Sequence, residues 1–299
     1  MKKTVYIGLF IFSGWFGNQL AAQQLPQYTQ FMFNDFVLNP AVAGTADYYQ
    51  IRSNSRFQWV GILDAPQTIS LSIYGPHKEK PMGFGGYLYS DVTGPTSRTG
   101  LYGTYAYNIE AWPDIRLSMG LSLGLLQNKV DGTEIQLIEE NDPVFQGGVY
   151  SAWVPDASLG FYLYHDNWFA GFSAFQLFSN NIKVYDMKNG LNRLKHHYYL
   201  MGGYATDIHP DFRLEVSAML KGTTPVPLQL EFNARTTYRE TFWMGLSYRT
   251  KDAASILLGY IHENRFMFGY SYDISTSTIR SFNSGTHEIM IGVRLNPIR

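Results

Sequence analysis

The chain repeats one pattern from Tyr48 to Leu295: about ten residues in which apolar side chains alternate with polar or small ones, then a turn, about fourteen times. In residues 115–125, every second side chain from Ile115 onward is apolar, and the intervening residues are Arg, Ser or Gly. Successive side chains of a strand point to opposite faces, so each such segment has one apolar face and one polar face. A soluble β-sandwich also alternates in this way, and further features must separate it from a membrane barrel.

The first of these features is the start of the chain. Lys2 and Lys3 precede an apolar run over residues 5–16, which is too short to cross a bilayer as a helix. We therefore predict a signal peptide over residues 1–22, with Gln23 as the first mature residue. The chain contains no cysteine, which excludes a lipoprotein anchor, disulfides and cysteine-ligated metals.

Composition is the second feature. Aromatic residues make up 16% of the chain, which is typical of barrels that carry aromatic girdles at both membrane interfaces. The formal net charge is −1, so a basic surface for nucleic acid is not expected. The contact that this composition predicts is with membrane lipid, and no contact with nucleic acid is expected.

The rhythm of the connections is the third feature. Short turns fall at residues 110–113, 165–167, 207–211, 239–241 and 262–265, and the connections between them are longer. Outer-membrane barrels have short periplasmic turns and long external loops. We predict an all-β protein: a transmembrane antiparallel β-barrel of about 14 strands (range about 12–16), formed by residues 48–299 in the outer membrane. Both termini are expected in the periplasm, and loops 128–156 and 179–195 outside the cell. The predicted strands are 49–59, 68–74, 83–90, 101–109, 115–126, 157–164, 168–178, 197–206, 212–221, 228–238, 242–249, 255–261, 266–274 and 287–295.

Residues 23–47 do not alternate and contain Pro40. This segment is expected to fold into the lumen, or against its periplasmic mouth, as a plug; the alternative is a loose periplasmic tail. Charged residues inside the strands should face the lumen, because a charge on the lipid face costs about 2–4 kcal/mol at the midplane. They form either a lumen plugged by paired charges or a charged conduit. These residues are Arg52, Arg56, Arg116, Arg213, Glu215, Glu231, Arg235, Arg249 and Arg294.

Signals for catalysis are weak. Residues 120–124 match the G-x-S-x-G pattern of a nucleophile elbow, but they lie in the middle of an uninterrupted strand instead of at a sharp strand-to-helix turn. His196 and His197 are adjacent and would face opposite sides of a strand. We therefore predict neither an enzyme nor a cofactor or metal site.

Several stretches together resemble the PorP/SprF family of outer-membrane proteins, which is associated with type IX secretion and gliding motility. They are residues 24–34, 39–44, 58–61, 65–66, 242–249, 269–273 and 285–290. The resemblance implies a non-enzymatic barrel that helps secreted proteins reach or stay on the cell surface. The implied partners are a secreted, adhesin-like surface protein with a C-terminal sorting domain and periplasmic components of the secretion and motility machine.

Two groups of residues are the candidate sites under this resemblance. A polar loop with exposed aromatics is a reasonable docking surface for a secreted domain, although it is equally typical of an ordinary variable loop. The motif residues are expected to be structural and to fix the plug against the first strand. An alternative function is a plugged channel for a small or apolar solute. The docking candidates are Glu134, Glu139, Glu140, Phe145, Tyr150 and Trp153, and the motif residues are Asn39, Pro40, Ala41, Gly44 and Trp59.

Overall fold

The structure, a computed structural model, describes residues 25–134, 148–182 and 193–297. Fourteen antiparallel strands close into one barrel, in which each strand pairs with its sequence neighbours and β1 pairs with β14. Within the described ranges, no helix is long and apolar enough to cross a bilayer. The strands are β1 (Tyr48–Phe57), β2 (Gln67–Pro76), β3 (Met82–Thr93), β4 (Thr96–Trp112), β5 (Ile115–Asp131), β6 (Val149–Tyr164), β7 (Trp168–Phe175), β8 (His197–His209), β9 (Phe212–Thr223), β10 (Val226–Tyr238), β11 (Phe242–Arg249), β12 (Ala253–His262), β13 (Phe266–Ser275) and β14 (Thr286–Pro297).

The alternation of the sequence becomes two faces of the barrel wall. In β11, exposed and buried residues alternate without a break: Met244 and Leu246 are exposed, whereas Trp243 and Ser247 are buried. An exposed apolar side chain at every second position is stable only if that face lies against lipid. The fold is therefore the predicted transmembrane β-barrel, with its polar positions turned inward.

The two ends of the barrel differ in the length of their connections. At one end, the short-turn end, successive strands are joined by residues 77–81, 113–114, 165–167, 210–211, 239–241 and 263–265. The opposite end, the long-loop end, carries the connections 58–66, 132–148, 176–196 and 276–285. Residues 94–95, 224–225 and 250–252 also lie at this end. The first two connections are shorter than expected, because β3, β4, β9 and β10 extend beyond their predicted limits.

Part of the segment that precedes β1 lies inside the barrel. We call residues 25–47 the N-terminal strap; it contains three short 3₁₀ turns, at Phe31–Phe33, Asp35–Val37 and Pro40–Val42. Its apolar side chains pack on inward-facing tyrosines, with Phe36 stacked on Tyr74 at 4.4 Å and edge-on to Tyr87 at 6.0 Å. Aromatic contacts of this kind stabilise the core beyond simple burial by about 0.5–1.5 kcal/mol each.

Candidate functional site

The strap runs through the barrel from one end to the other. Leu25 and Pro26 line a cavity of about 210 Å³ together with the adjoining ends of β9 and β10 and with Thr250 and Lys251 of the β11–β12 connection, all at the long-loop end. The strap then leads into Tyr48, where β1 starts at the short-turn end. The first described residues and the last strand residue, Pro297, thus lie at opposite ends of the barrel. The expectation that both termini lie at the short-turn end does not fit the position of Leu25.

Near the long-loop end, the strap is held by charged side chains from β1, β13 and β14. The Thr29 backbone N–H donates to Glu288 Oε2 at 2.7 Å, and the Gln30 N–H donates to Glu288 Oε1 at 3.2 Å. The Thr29 hydroxyl donates to Asp273 Oδ2 at 2.8 Å and accepts from Arg56 Nη1 at 2.7 Å. These partners are almost fully buried, so this part of the strap is bound by groups that water does not reach.

These two carboxylates, and that of Glu231 on β10, are paired with arginines. Arg56 pairs with Asp273 at 2.8 Å and with Glu288 at 3.1 Å, and Arg249 pairs with Glu231 at 3.2 Å. Arg249 also donates to the Thr29 hydroxyl at 3.1 Å. We call Arg56, Glu231, Arg249, Asp273 and Glu288 the buried charge cluster. Loss of one member of such a set leaves an uncompensated buried charge, which costs about 3–5 kcal/mol.

Farther along, the strap is bonded to the first two strands. Asn34 donates its Nδ2 to Asn54 Oδ1 at 3.0 Å and accepts at Oδ1 from the Ser72 hydroxyl at 2.9 Å. Arg52 donates its Nε to the carbonyl oxygen of Phe33 at 3.0 Å. Each buried polar atom of this stretch that has such a partner avoids a desolvation cost of about 1–3 kcal/mol.

The predicted motif residues form the third 3₁₀ turn and pack against glycines of the wall. Asn39 caps the turn by accepting from the Ala41 N–H at 3.0 Å, and its Nδ2 donates to the Phe161 carbonyl oxygen at 3.0 Å. A Cβ atom added at Gly120 would overlap Pro40 and Ala41, and one at Gly160 would overlap Asn39. The strap backbone therefore approaches the wall more closely than any larger side chain would allow.

These glycines belong to one row across five strands, which we call the small-residue row: Gly83, Ala106, Gly120, Gly160 and Ser173 are consecutive cross-strand partners on β3 to β7. Gly83 faces the Ala43 carbonyl group and Gly44, and Gly44 itself has φ +82, which favours glycine. At the other end of the row, the Ser173 hydroxyl donates to the Leu38 carbonyl oxygen at 2.6 Å. Residues 38–44 of the strap therefore lie directly on the small residues of this row.

The motif is thus fixed against β3–β7, and the expectation that it packs on the first strand is wrong. Trp59 lies apart from the motif, in the β1–β2 connection at the long-loop end, where its backbone N–H donates to the Thr286 hydroxyl at 3.1 Å. Its backbone has φ +46, a conformation that belongs to a tight loop.

The predicted lumen charges fall into two groups. Glu231 is completely buried and belongs to the buried charge cluster, where Lys221 also donates to it at 3.0 Å. Arg235 and Glu215 form an ion pair closer to the short-turn end, and Arg213 lies 3.8 Å from the same carboxylate. Arg116, which belongs to neither group, is exposed near the short-turn end of β5.

Only part of the predicted docking loop lies within the described residues. Glu134 ends a short 3₁₀ turn after β5, whereas Glu139, Glu140 and Phe145 lie outside the described residues. Tyr150 and Trp153 are strand residues of β6, because β5 and β6 remain paired up to Asp131 and Val149. The wall therefore extends into the range 128–156 that was expected to be a loop.

The G-x-S-x-G match is part of the barrel wall. Ser122, the serine of the G-x-S-x-G match, lies in the middle of β5 and shares a 2.6 Å hydrogen bond with Thr104. In the part of the chain that the structure describes, no three His, Cys, Asp or Glu side chains are grouped so that they could hold a metal ion.

Comparisons with known proteins agree with this architecture. The family model described as "Type IX secretion system membrane protein PorP/SprF" matches residues 20–293. No curated protein matches the chain in sequence. Among solved structures, the Acinetobacter baumannii outer membrane protein Omp33 is similar in fold, with a TM-score of 0.50, 7% identity, and coverage of 83% of this chain and 98% of that one. A Pseudomonas aeruginosa FadL homologue aligns with a TM-score of 0.49 and 11% identity over 92% of this chain and 95% of that one.

Proposed function

Because the chain belongs to the PorP/SprF family of type IX secretion system membrane proteins, we propose that it is an outer-membrane accessory barrel that helps to export or retain a secreted protein. The cargo would be an adhesin-like protein with a C-terminal sorting domain, and periplasmic components of the secretion and motility machine would be further partners. The barrel would act as a docking body in the membrane and leave the passage of the cargo to another component.

The observation that carries this proposal is the strap. It is bonded to the wall near the long-loop end by the buried charge cluster and is seated in its middle on the small-residue row. A segment bound by several buried, charge-assisted hydrogen bonds is costly to remove. A barrel filled in this way is suited to present its two ends to partners, and poorly suited to pass a polypeptide through its lumen.

We propose the β5–β6 connection as the docking element for the cargo. Glu134 lies at its start, and Tyr150 and Trp153 lie at the base where β6 begins. Trp153 is 56% exposed on the outer face of the wall, where a partner could cover it. Exposed aromatics contribute strongly to protein interfaces once they are buried by a partner.

The test is a mild-detergent purification of the tagged protein from its native outer membrane, followed by mass spectrometry of the copurified proteins. Recovery of a secreted protein with a C-terminal sorting domain supports the proposal. The matched variants are a deletion of residues 135–147 and, as control, a change in a short turn, Asp114→Ala. The deletion should abolish recovery and the control should not; equal recovery from both variants would remove the docking role of this connection.

A second candidate function, solute transport, is favoured by the cavities on both sides of the strap. One of about 580 Å³ opens at the short-turn end and one of about 210 Å³ lies at the long-loop end. A small solute could cross between them if the strap moved. Conductance or solute binding by the pure barrel alone would favour this function over docking.

A further inference from the structure

The cavity at the short-turn end, which we call the short-turn chamber, has a volume of about 580 Å³ and is partly open. Its floor is the strap, at Met32, Phe33 and Asp35, and its walls come from strands on both sides of the lumen. This volume lies within the range of about 300–1,000 Å³ that is usual for small-molecule sites. The charged residues that line it are Arg52, Arg213, Arg235, Arg239, Arg294, Asp35, Asp207, Asp211, Glu215 and Glu240.

The charges of the chamber are not evenly distributed. Near the opening, Arg239 pairs with Asp211 at 3.0 Å and Arg213 pairs with Asp207 at 3.2 Å, and the exposed Glu240 gives this group of five residues a formal charge of −1. The other three arginines, Arg52, Arg235 and Arg294, are accompanied among the lining residues only by the acids Glu215 and Asp35. Around these three arginines, positive charge therefore exceeds negative charge by one.

Arg52 and Arg294 are held in place without an acidic partner. Arg52 is 2% exposed and donates to the Phe33 carbonyl oxygen at 3.0 Å and to Gln50 Oε1 at 2.6 Å. The Arg294 guanidinium lies over the Tyr48 ring at 5.3 Å and donates to Asn264. Across the described residues, no carboxylate oxygen lies within 4.0 Å of either guanidinium. Arg294 also lies within electrostatic reach of both Arg52 and Arg235, so like charges face one another.

Arg235 is the third and least satisfied member of this group. Its guanidinium stacks on the Phe33 ring at 4.1 Å, and its side chain is 11% exposed. One nitrogen donates to Glu215, but Nε and Nη1 are buried without a hydrogen-bond partner, as is Nε of Arg294. Unmade hydrogen bonds of a buried charged group cost at least about 1–3 kcal/mol each, and an arriving anion would recover part of this cost.

We propose that the short-turn chamber binds a small anionic group, a carboxylate or a phosphate, between Arg235, Arg294 and Arg52. The planar fork of N–H donors in a guanidinium matches the oxygens of both groups. The anion enters from the short-turn end, because the strap closes the other side of the chamber. It is either a free ion or an acidic group carried by a partner protein, and the two share the same recognition chemistry. This site does not depend on the docking role proposed above.

The experiment is isothermal titration calorimetry of the full-length protein in detergent with inorganic phosphate, with citrate and with a short peptide that ends in Asp-Glu. The wild-type protein should bind at least one of these probes. Arg235→Gln should weaken binding at least tenfold, and Arg239→Gln, in the exposed pair with Asp211, should change it less than twofold. Asp35→Asn removes a competing carboxylate and should tighten binding, a gain that misfolding does not imitate.

The outcomes separate the possible sources of the anion. Binding of phosphate or citrate as tight as that of the peptide assigns a free ion, and peptide binding at least tenfold tighter assigns a partner's acidic group. Absence of binding for all three probes overturns the proposal. Equal affinities of the wild-type, Arg235→Gln and Asp35→Asn proteins would also overturn it, since the anion would then bind elsewhere.

Discussion

Arg56 and Glu288 face each other across the β1–β14 seam that closes the barrel, with 3.1 Å between Nη1 and Oε2. Both side chains also bind Thr29 of the strap, Arg56 through the hydroxyl and Glu288 through the backbone N–H. The seam of the barrel and the position of the strap are therefore stabilised by the same two residues.

The first prediction concerns this pair. Glu288→Gln should destabilise the protein by about 3–5 kcal/mol, because Arg56 would retain only Asp273 as a counter-charge in a buried setting. The matched control is Asp211→Asn, which breaks the exposed Arg239–Asp211 pair and should cost about 0–1 kcal/mol. Urea unfolding, monitored by the heat-dependent mobility of the barrel on gels, measures the stability of both variants. Equal midpoints for the two variants would show that the buried charge cluster does not hold the strap.

The second prediction concerns the small-residue row. Gly120→Val should push the strap away from the wall, since even a Cβ atom at this position overlaps Pro40 and Ala41. Gly103→Val, on β4, is the control, because a Cβ atom at Gly103 has nothing within 4 Å. Limited proteolysis of the folded barrel should cut the strap in the first variant and leave it intact in the second. Protection of the strap in both variants would contradict the close packing.

The third prediction separates the two roles of Asn39. Asn39→Asp keeps the oxygen that accepts from the Ala41 N–H and loses the Nδ2 donor to the Phe161 carbonyl oxygen. Asn39→Ala loses both. Loss of a cap costs about 0.5–2 kcal/mol, so the alanine variant should show the lower unfolding midpoint. If the aspartate variant is the less stable of the two, repulsion between its carboxylate and the Phe161 carbonyl oxygen destabilises the protein more than loss of the cap does.

The fourth prediction concerns the direction of the strap. The chain has no cysteine, so single cysteines can be labelled cleanly. In intact cells, Leu25→Cys should react with a membrane-impermeant maleimide as Asp64→Cys in the β1–β2 connection does, whereas Asp114→Cys in a short turn should react only after the outer membrane is opened. If Leu25→Cys reacted only after the outer membrane was opened, as Asp114→Cys is expected to do, the direction assigned to the strap would be wrong.

Alternation was sufficient to predict all fourteen strands, because one face of each must meet lipid and the other the lumen. The alternation did not predict the parts of β5 and β6 nearest the long-loop end. There Gln127, Asn128 and Lys129 continue the strand pairing with polar side chains on both faces. A strand that extends beyond the membrane no longer needs an apolar face, so the sequence there resembles a loop. Tyr150 and Trp153 were placed in that loop for the same reason.

The interior was less predictable than the wall. The cost of placing a charge in lipid predicts that the charged residues of β1, β9, β10 and β14 face the lumen. Which of them pair depends on contacts between strands that are distant in sequence, such as the contact of Arg56 with Asp273. The small-residue row was visible only as isolated glycines and serines at inward positions. Its alignment depends on the register of five strands, which no single segment contains. The direction of the strap likewise follows only from where Leu25 and Thr29 bind.

The central claim is that the barrel works with its strap in place. Asn34 of the strap and Ser72 of β2 are hydrogen-bonded at 2.9 Å, so the double variant Asn34→Cys, Ser72→Cys should place two thiols near enough for a short reducible cross-linker to lock the strap to the wall. Surface display of the secreted partner would be measured by cell-surface labelling, with and without reductant. We expect the locked protein to support display as well as the wild-type protein does. Loss of display in the locked protein, with recovery after reduction, would show that the strap must leave the lumen and that the barrel is a conduit.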